Sequence, residues 1–549
     1  MGKTFNFKGV TKTLIFAILS VGFGSSFLYG YNIGVINAPQ TVVGMWIRSV
    51  TCGRMIGHSY SSYVCGVDAE VSAQNGTSGT SNRRGSRFEN ATETDLWCCE
   101  LTDDDQQRLF RDNYKLNVMW TAVASVFCVG GLLGALASNY LVFRFGRKGT
   151  LLLNNLTGFG ALGFLVFPRL AFSYEMLLIG RFLAGLNGGV TSAVAPLYMV
   201  EIPPTHIRGT LGGLHQFFIV LAILISQILG HPKVLGNDLY WPYLFGIGII
   251  PIVFQLLTLP FCPESPKYLY LDKDKEAKAE KAMKRLRRKS VYDEEMEDLR
   301  EKKETTDDQR LTMLALFKDP FLRRVAIMSM IVTSCSHVSG HGTVIYYSTA
   351  VFKSAGLTGG TAIWATIGMG ALYALSTFVT AATVEKAGRK TLLLIGLGGM
   401  GILTILLTAF MVMFQKTHSS SGAVKEGGEG YEWTSYASMV AIFLHTIIYS
   451  IGPGTIPAFL VSEMFTQGPR AAVTSLALAV NWLSALIVVL LYPLVQAEIG
   501  GYTFLIFAGA LAVYFGYVWL RVPETKGKTP EEVMEVLKEK FGFSGDQSR

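Results

Sequence analysis

Residues 145–153 read FGRKGTLLL, and residues 387–394 read AGRKTLLL. Each copy places Gly-Arg-Lys directly before an apolar run and follows the second long apolar stretch of its half of the chain. Another pair of similar segments comes later in each half, PESP at 263–266 and PETK at 523–526. The sequence therefore predicts two similar halves, each built from the same succession of apolar and charged segments.

An acidic and a basic residue recur between those segments with one spacing. Glu201 precedes Arg208 by seven residues (208 − 201 = 7), and Glu463 precedes Arg470 by seven (470 − 463 = 7). The two glutamates are 262 residues apart (463 − 201 = 262), close to the offset of 260 between PESP and PETK (523 − 263 = 260). The repeat thus extends over most of the chain.

Composition indicates a membrane protein. Of the 549 residues, 50% are hydrophobic and 16% are Asp, Glu, Lys or Arg, whereas soluble domains carry about 25% charged residues. The formal net charge is +8, but the basic residues lie in short groups between long uncharged stretches. Because a nucleic-acid-binding face needs clustered basic residues, we expect no nucleic-acid partner.

The uncharged stretches are long enough to cross a bilayer, which takes about 20 helical residues. The first runs from residue 14 to residue 47 without a charge and exceeds the roughly 7–15 residues of a signal peptide's apolar region. Breaks or kinks are expected in the Gly-rich segment 391–405 and around Pro453 and Pro457. The other stretches lie at 117–139, 149–168, 174–199, 209–230, 240–260, 322–347, 361–384, 391–414, 437–460, 470–494 and 503–521. We predict an all-α membrane protein with twelve transmembrane helices in two pseudo-symmetric six-helix bundles.

Lys and Arg concentrate in cytoplasmic loops, and this rule orients the chain. Basic residues follow the second and eighth stretches: Arg144, Arg147, Lys148, Lys386, Arg389 and Lys390. We therefore expect an integral, multi-pass protein of the plasma membrane with both termini in the cytoplasm. The predicted divisions are a cytoplasmic N-terminus at 1–13, an N-terminal bundle at 14–260 with an extracellular loop at 48–115, linker helices at 261–321, a C-terminal bundle at 322–521 and a cytoplasmic tail at 522–549.

The loop at 48–115 carries the features of a secretory-pathway surface. It contains two glycosylation sequons, at Asn75 and Asn90, and N-glycosylation needs an accessible surface. Four cysteines permit three disulfide pairings, of which one joining neighbouring Cys98 and Cys99 is disfavoured. They are Cys52, Cys65, Cys98 and Cys99.

The one long charged segment between the halves, 270–312, is expected to form solvated helices. An alternative is an arm that binds acidic membrane lipid, since each basic residue near the cytoplasmic leaflet gains about 1 kcal/mol. The residues of such an arm would be Lys284, Arg285, Arg287, Arg288 and Lys289.

Two parallel halves can enclose a site near the middle of the bilayer and rock about it, as in transporters. Basic loops facing acidic helix ends would then form a cytoplasmic gate, made in one state and broken in the other. The alternative is that these basic residues only anchor loops in the cytoplasm. Candidates are Arg147, Lys148, Arg181, Glu201, Arg208, Glu264, Glu385, Arg389, Lys390, Glu463 and Arg470, with Arg147 and Lys148 expected to pair with Glu201, and Arg389 and Lys390 with Glu463.

Together with several other segments, these motifs resemble the sugar porters of the major facilitator superfamily, and within them the animal facilitative hexose (glucose) transporters. The resemblance runs nearly end to end. Matching segments are GYNIGVINAP at 30–39, GRF at 180–182, GLHQ at 213–216, PESP at 263–266, YYST at 346–349, GPG at 452–454, QGPR at 467–470, NW at 481–482 and PET at 523–525.

The resemblance implies a sugar site and an outer gate. Gln216 matches a sugar-binding glutamine of the family, Asn481 and Trp482 offer a second amide and an indole, and Tyr346 and Tyr347 are expected at an extracellular gate. A neutral sugar needs amide or hydroxyl partners and an aromatic surface within a cavity. Without the resemblance, an intramembrane Gln is equally well read as a helix-to-helix hydrogen bond worth about 0.6 kcal/mol.

Several positions depart from the usual glucose site. Ser336 and His337 stand where the family commonly has two glutamines, and Tyr373 stands at an Asn position, so we expect these three residues to contact the substrate as well. Further changes are Gly342 and Ala485 for Asn, Ser450 for Glu and Ala458 for Trp. An Ala at the last position also occurs in fructose-carrying relatives, so a different hexose, a polyol or another small solute is an open alternative.

The leading hypothesis is passive uniport of a hexose such as glucose or fructose by alternating access, without enzymatic chemistry. Proton symport is a rival, because His215, His337, His341 and His445 lie in or near the spans and histidine titrates near neutral pH; against it, Asn32 replaces the Asp of family symporters. A sugar sensor that does not transport is another rival.

The sequence contains no phosphate-binding loop and no metal-ligand spacing, so we expect no cofactor and no metal. No feature of the sequence sets an oligomeric state.

We predict that Asn75 or Asn90 carries an N-linked glycan. Protein from animal-cell membranes should migrate faster on a gel after glycosidase treatment, because each glycan adds bulk to the extracellular loop. The double variant Asn75→Gln/Asn90→Gln is the control and should show no shift. Unchanged mobility of the wild-type protein would contradict the predicted topology.

Overall fold

A computed structural model describes residues 11–56, 114–204, 207–305, 313, 315–383, 387–417 and 433–543. Within those ranges every regular element is a helix. The predictions for Asn75, Asn90, Glu385, Cys65, Cys98 and Cys99 concern residues outside these ranges, whereas Cys52 lies in the helix Gln40–Ile56.

Nine helical stretches among the described residues are long and apolar enough to cross a membrane. Two of them, Val118–Val166 and Gly468–Arg521, each contain two of the predicted crossings. The predicted seventh crossing consists of two shorter helices, Pro320–Val338 and His341–Ser354. The prediction of twelve crossings (9 + 2 + 1 = 12) is thus confirmed.

In the N-terminal half, the second and third spans share one helix that bends at Gly146, where the backbone φ is 81°. The spans are, in order, Lys12–Val21 continued by Gly22–Phe27 and Leu28–Gly34 (first), Tyr114–Val166 (second and third), Tyr174–Glu201 (fourth), Arg208–Leu229 (fifth), and Trp241–Gly246 with Ile249–Thr258 (sixth).

The C-terminal half repeats this order. Its spans are Pro320–Val338 with His341–Ser354 (seventh), Gly359–Thr383 (eighth), Arg389–Thr417 (ninth), Trp433–Ile451 with Ile456–Glu463 (tenth), Gln467–Ile499 (eleventh) and Thr503–Arg521 (twelfth). Helices outside the spans are Gln40–Ile56, Pro168–Ala171, Glu276–Leu286, Lys289–Thr305, Ala315–Lys318 and Pro530–Lys540.

Two expectations about helix breaks need correction. The apolar run 14–47 is not one helix, because the first helical stretch ends at Gly34 and a new helix starts at Gln40. The new helix follows Pro39, whose ring disfavours a helical conformation for the residue before it. The Gly-rich segment 391–405 is unbroken. Its glycines serve close packing instead, since a Cβ on Gly396 would lie 2.5 Å from Pro453 Cδ.

The break expected in the tenth span is present, between Ile451 and Ile456. A further break divides the seventh span at Ser339 and Gly340, where Gly340 has a φ of 84°. That backbone conformation favours glycine. Both breaks lie within spans of the C-terminal half.

Glycines bring the second and fourth spans into backbone contact. A Cβ on Gly185 would lie 2.0 Å from the carbonyl oxygen of Phe127, and a Cβ on Gly189 would lie 2.2 Å from that of Gly131. Small residues allow such close approach between membrane helices. The halves themselves meet along the second and eleventh spans and along the fifth and eighth.

Large apolar side chains cover the outer surface of the bundle. Leu156 is 67% exposed and Val513 is 73% exposed, and many Phe, Ile and Leu side chains are similarly uncovered. Contiguous apolar surface of this kind marks contact with a membrane. The protein is therefore an integral, multi-pass membrane protein.

We predict that Gly185→Ala destabilises the protein, because the added methyl group would overlap the Phe127 carbonyl and force the two helices apart, at a cost of about 1–3 kcal/mol. Gly163→Ala is the matched control, since a Cβ there meets nothing within 4 Å. Thermal unfolding in detergent should show a lower midpoint for Gly185→Ala and an equal or higher midpoint for Gly163→Ala. Equal midpoints for both variants would contradict this packing.

Candidate functional site

In each half, a carboxylate accepts hydrogen bonds from backbone N–H groups at the start of the third span of that half. Glu264 accepts hydrogen bonds from the backbone N–H groups of Arg147 and Lys148, the former at 3.2 Å, and Glu524 accepts one from the N–H of Arg389 at 2.8 Å. N–H groups at a helix start lack partners within the helix, and negative charge is favourable there. Burial raises the pKa of Glu264, while the N–H donors of Ser265 and Lys148 act in the opposite direction.

Arg147 holds two carboxylates on one guanidinium. Its Nε lies 2.8 Å from Glu201 and its Nη1 lies 2.9 Å from Asp272, while the guanidinium stands 4.8 Å from the centre of the Tyr268 ring. The corresponding contact in the C-terminal half joins Arg389 Nη2 to Glu463 at 3.1 Å. We call the end of the bundle that carries these pairs the basic end.

The two lysines have partners other than the glutamates expected for them. Lys148 Nζ donates to the carbonyl oxygens of Pro260 and Cys262 at 2.6 and 2.8 Å, and Lys390 Nζ donates to that of Trp519 at 2.8 Å. Both therefore bind carbonyl groups near the end of the last span of their half, where cations are favourable.

Arg181 does not lie at the basic end, contrary to expectation. It precedes Glu201 by twenty residues in one helix (201 − 181 = 20), and at 1.5 Å per residue that places it about 30 Å away along the axis. It is fully buried, its Nη1 donates to the carbonyl of Asn32 at 2.7 Å, and it lies 4.4 Å from the Phe127 ring centre.

Three other basic residues, Arg470, Arg208 and Arg287, lie next to polar groups of the protein itself. Arg470 donates twice to the Phe465 carbonyl, at 3.0 and 2.6 Å, and Arg208 lines a small cavity with Glu201 and Arg287. In the linker, Arg287 pairs with Glu295 at 2.7 Å and is buried. The membrane-arm alternative required Arg287 to be free to bind lipid, and its burial and its ion pair contradict that requirement.

At the opposite end, the turn that follows the first span contacts the seventh span and joins the halves. Asn37 Nδ2 donates to Ser348 Oγ, and the N–H of Thr349 donates to Asn37 Oδ1 at 3.4 Å. Both tyrosines of the expected outer gate are buried beside this contact; Tyr347 donates to the Val489 carbonyl at 3.0 Å. Asn37 lies in the segment GYNIGVINAP at 30–39, and the family resemblance implied no role for this residue.

Between the two ends lies a group of uncharged polar and aromatic side chains. Gln216 Nε2 donates to Tyr373 Oη at 3.2 Å, across the two halves. The ring of Tyr373 lies 5.2 Å from His341, and His341 stacks on Tyr449 at 3.6 Å between ring centres. His445 lies 5.8 Å from His341. We call these five residues the central cluster.

Of the six residues predicted to bind substrate, the structure joins Gln216 and Tyr373 directly. Trp482 Nε1 donates to Ser192 Oγ in the fourth span at 3.3 Å, and Ser336 Oγ donates to the Pro453 carbonyl at 2.7 Å. Asn481 Oδ1 is buried and has no hydrogen-bond partner among the described residues. The ring of His337 stands next to Gly342.

His341, His445 and Tyr449 are cluster members that the sequence did not identify as site residues. His341 is one of the four histidines whose position in or near the spans makes proton symport a rival hypothesis. Its direction could not be inferred from helical spacing, because the break at Gly340 restarts the helix at His341 itself.

Comparison with known proteins decides the family. The sequence model described as "Sugar (and other) transporter" matches residues 17–537. The chain belongs to this sugar transporter family.

Relatives in the family align with nearly the whole chain. Solute carrier family 2, facilitated glucose transporter member 2 of Sus scrofa is 35% identical over 536 residues, covering 97% of this chain and 95% of that protein. Member 4 of Homo sapiens is 35% identical over 525 residues, covering 95% and 90%.

Solved structures show that this sugar transporter has the major facilitator fold. The proton:xylose symporter XylE bound to 6-bromo-6-deoxy-D-glucose superposes with a TM-score of 0.69 at 21% identity, covering 95% of this chain and 99% of that one. A partially occluded inward-open form of XylE from E. coli gives 0.67 at 20% identity, covering 94% and 100%. The predicted fold class is confirmed.

Membership of this family means that the protein is a transporter and not an enzyme. Its central cluster contains amide, phenol and imidazole groups, and these suit an uncharged, hydroxylated solute better than an ion. In the part of the chain that the structure describes, no group of three or more His, Cys, Asp or Glu side chains is placed to hold a metal ion.

We predict that Arg147→Ala destabilises the protein more than Arg389→Ala. Removing Arg147 breaks its ion pairs with two nearly buried carboxylates, those of Glu201 and Asp272, and breaking buried pairs costs about 3–5 kcal/mol. The Arg389 pair is more exposed, and Glu463 retains a hydrogen bond from the Thr525 hydroxyl. Thermal unfolding followed by tryptophan fluorescence measures the order.

Arg169→Ala is the control for this prediction. Its partner Asp238 is 54% exposed, and surface pairs contribute about 0–1 kcal/mol, so its midpoint should stay at the wild-type value. If Arg389→Ala lowered the midpoint as much as Arg147→Ala, the asymmetry between the two pairs would be disproved.

Proposed function

We propose that this protein carries a hexose such as glucose or fructose across the membrane by facilitative, alternating-access transport. The observation that carries the proposal is the hydrogen bond of 3.2 Å from Gln216 to Tyr373, which joins the two halves through uncharged groups midway along their spans. Such groups can exchange their mutual hydrogen bond for bonds to sugar hydroxyls. The relatives named as facilitated glucose transporters support the same substrate class.

Contacts at the two ends of the bundle suit the opening and closing that this mechanism needs. Ion pairs within each half hold the basic end, with Arg147 and Arg389 at their centres, and we assign this end to the cytoplasm. The contact of Asn37 with Ser348 spans the halves at the other end. We propose that Tyr346 and Tyr347 close the extracellular side there, and that the ion pairs at the basic end change between states.

Transport is proposed to be passive because the residue that Arg181 contacts, Asn32, has no titratable side chain. Its guanidinium donates to the backbone carbonyl of Asn32, and Asn32 carries an amide that does not titrate. A carboxylate at this place would bind and release a proton beside the arginine. The likeness to a proton:xylose symporter supports only the shared fold, because the identity is 21%.

The proposed setting is the plasma membrane, with both termini in the cytoplasm and the divisions at residues 13, 260, 321 and 521 given above. The partners are one small neutral monosaccharide and the surrounding lipid. The loop at 48–115 is proposed to be the glycosylated, disulfide-bonded extracellular segment.

We predict that Gln216→Ala lowers the initial rate of hexose uptake at low sugar concentration about tenfold. The reason is the loss of one hydrogen bond worth about 1–1.5 kcal/mol. Uptake of radiolabelled D-glucose and D-fructose into proteoliposomes measures the effect. Gln496→Ala is the matched control, because Gln496 bonds Ser354 at 3.1 Å away from the cluster, and its rate should be that of the wild type.

The same proteoliposomes test whether transport is passive. Sugar should equilibrate and not accumulate when a pH gradient is imposed. Accumulation above the outside concentration would establish proton symport instead, and a normal rate for Gln216→Ala would place the substrate elsewhere. If neither hexose enters, hexose transport itself is disproved.

A further inference from the structure

The ring of His341 is buried without a polar partner. Its side chain is 0% exposed, and among the described residues neither Nδ1 nor Nε2 has a hydrogen-bond partner. His445 Nδ1, in the neighbouring ring, is also buried and unpartnered there. Buried polar groups in folded proteins nearly always have a partner, so this pair of rings calls for a functional explanation.

The geometry leaves the nitrogens of His341 able to bind a ligand. Tyr449 stacks on the face of the imidazole, with ring planes 22° apart, whereas hydrogen bonds of an imidazole lie in the plane of its ring. A neutral histidine offers one donor and one acceptor, as an amide does. The ring therefore carries the chemistry of a glutamine at a place already lined by aromatic surface.

The break in the seventh span sets the position of this ring. Gly340 has a φ of 84°, and the helix restarts at His341. The restarted helix brings the imidazole to within 5.2 Å of Tyr373, measured between ring centres. Since Tyr373 is the residue that Gln216 contacts, His341 belongs to the same polar centre at the junction of the halves.

We propose that His341 is a direct substrate contact that determines which hexose the protein accepts. Its ring donates one hydrogen bond to a sugar hydroxyl and accepts another, and so supplies polar partners in a C-terminal half where Ser336 is bonded to the Pro453 carbonyl. This inference rests on the proposed hexose transport and adds the residue that discriminates between sugars.

The test measures uptake of radiolabelled D-glucose and D-fructose in proteoliposomes for three variants. His341→Leu should raise the KM of the preferred hexose about tenfold with little change in kcat, the factor for one lost hydrogen bond of about 1.4 kcal/mol. His341→Gln keeps a donor and an acceptor and should stay within about threefold of the wild type while changing the ratio of the two KM values. His231→Leu is the control, because His231 packs on Trp364 outside the cluster, and its KM should be unchanged.

Mono-deoxy analogues of the preferred hexose separate direct contact from a structural role. In the wild type, removing the hydroxyl that His341 binds should weaken competition about tenfold, and in His341→Leu that same analogue should compete as well as the parent sugar. If every analogue loses the same factor in both proteins, His341 acts only through packing and the inference is overturned. An unchanged KM in His341→Leu overturns it as well, while a wild type that moves neither hexose removes both the proposed function and this inference.

Discussion

The bilayer imposes the constraint on which the rest of this structure depends: backbone N–H and C=O groups at membrane depth must find partners inside the protein. The spans are accordingly helical, and their breaks are supplied with hydrogen bonds. At the break of the tenth span, Ser336 Oγ donates to the Pro453 carbonyl and Thr455 Oγ1 donates to the Ser450 carbonyl. Irregular backbone is tolerated where other helices surround it, and two residues of the central cluster, His341 and Tyr449, lie beside such breaks.

Repetition and function are distributed differently over the two halves. The basic end is repeated closely, with Glu264 and Glu524 capping equivalent helices. The cluster is not repeated: Gln216 comes from the N-terminal half, whereas the tyrosines and histidines come from the C-terminal half. A repeated scaffold can rock as two rigid units, and an unsymmetrical centre can bind one face of an asymmetric sugar, so the two arrangements serve separate requirements.

Close packing connects the scaffold to the centre. Gly185 and Gly189 let the second and fourth spans touch through their backbones, and Trp482 of the eleventh span packs directly on Gly131. The indole of Trp482 also donates to Ser192. One of the contacts between the halves is therefore an aromatic ring packed on a glycine, an arrangement that a single added methyl group would disturb.

The sequence alone determined the number of spans, the twofold repeat and the pairing of Arg147 and Arg389 with glutamates, because these follow from apolar length and from charges at equal spacing. Tertiary structure decided what spacing does not encode. Lys148 and Lys390 bind carbonyl groups, Arg181 lies about 30 Å from the end expected for it, and the Gly-rich ninth span stays helical. His341 meets Tyr449 only because Gly340 interrupts the seventh span: a break resets the direction of every later side chain, and which neighbour each then faces depends on how the helices pack.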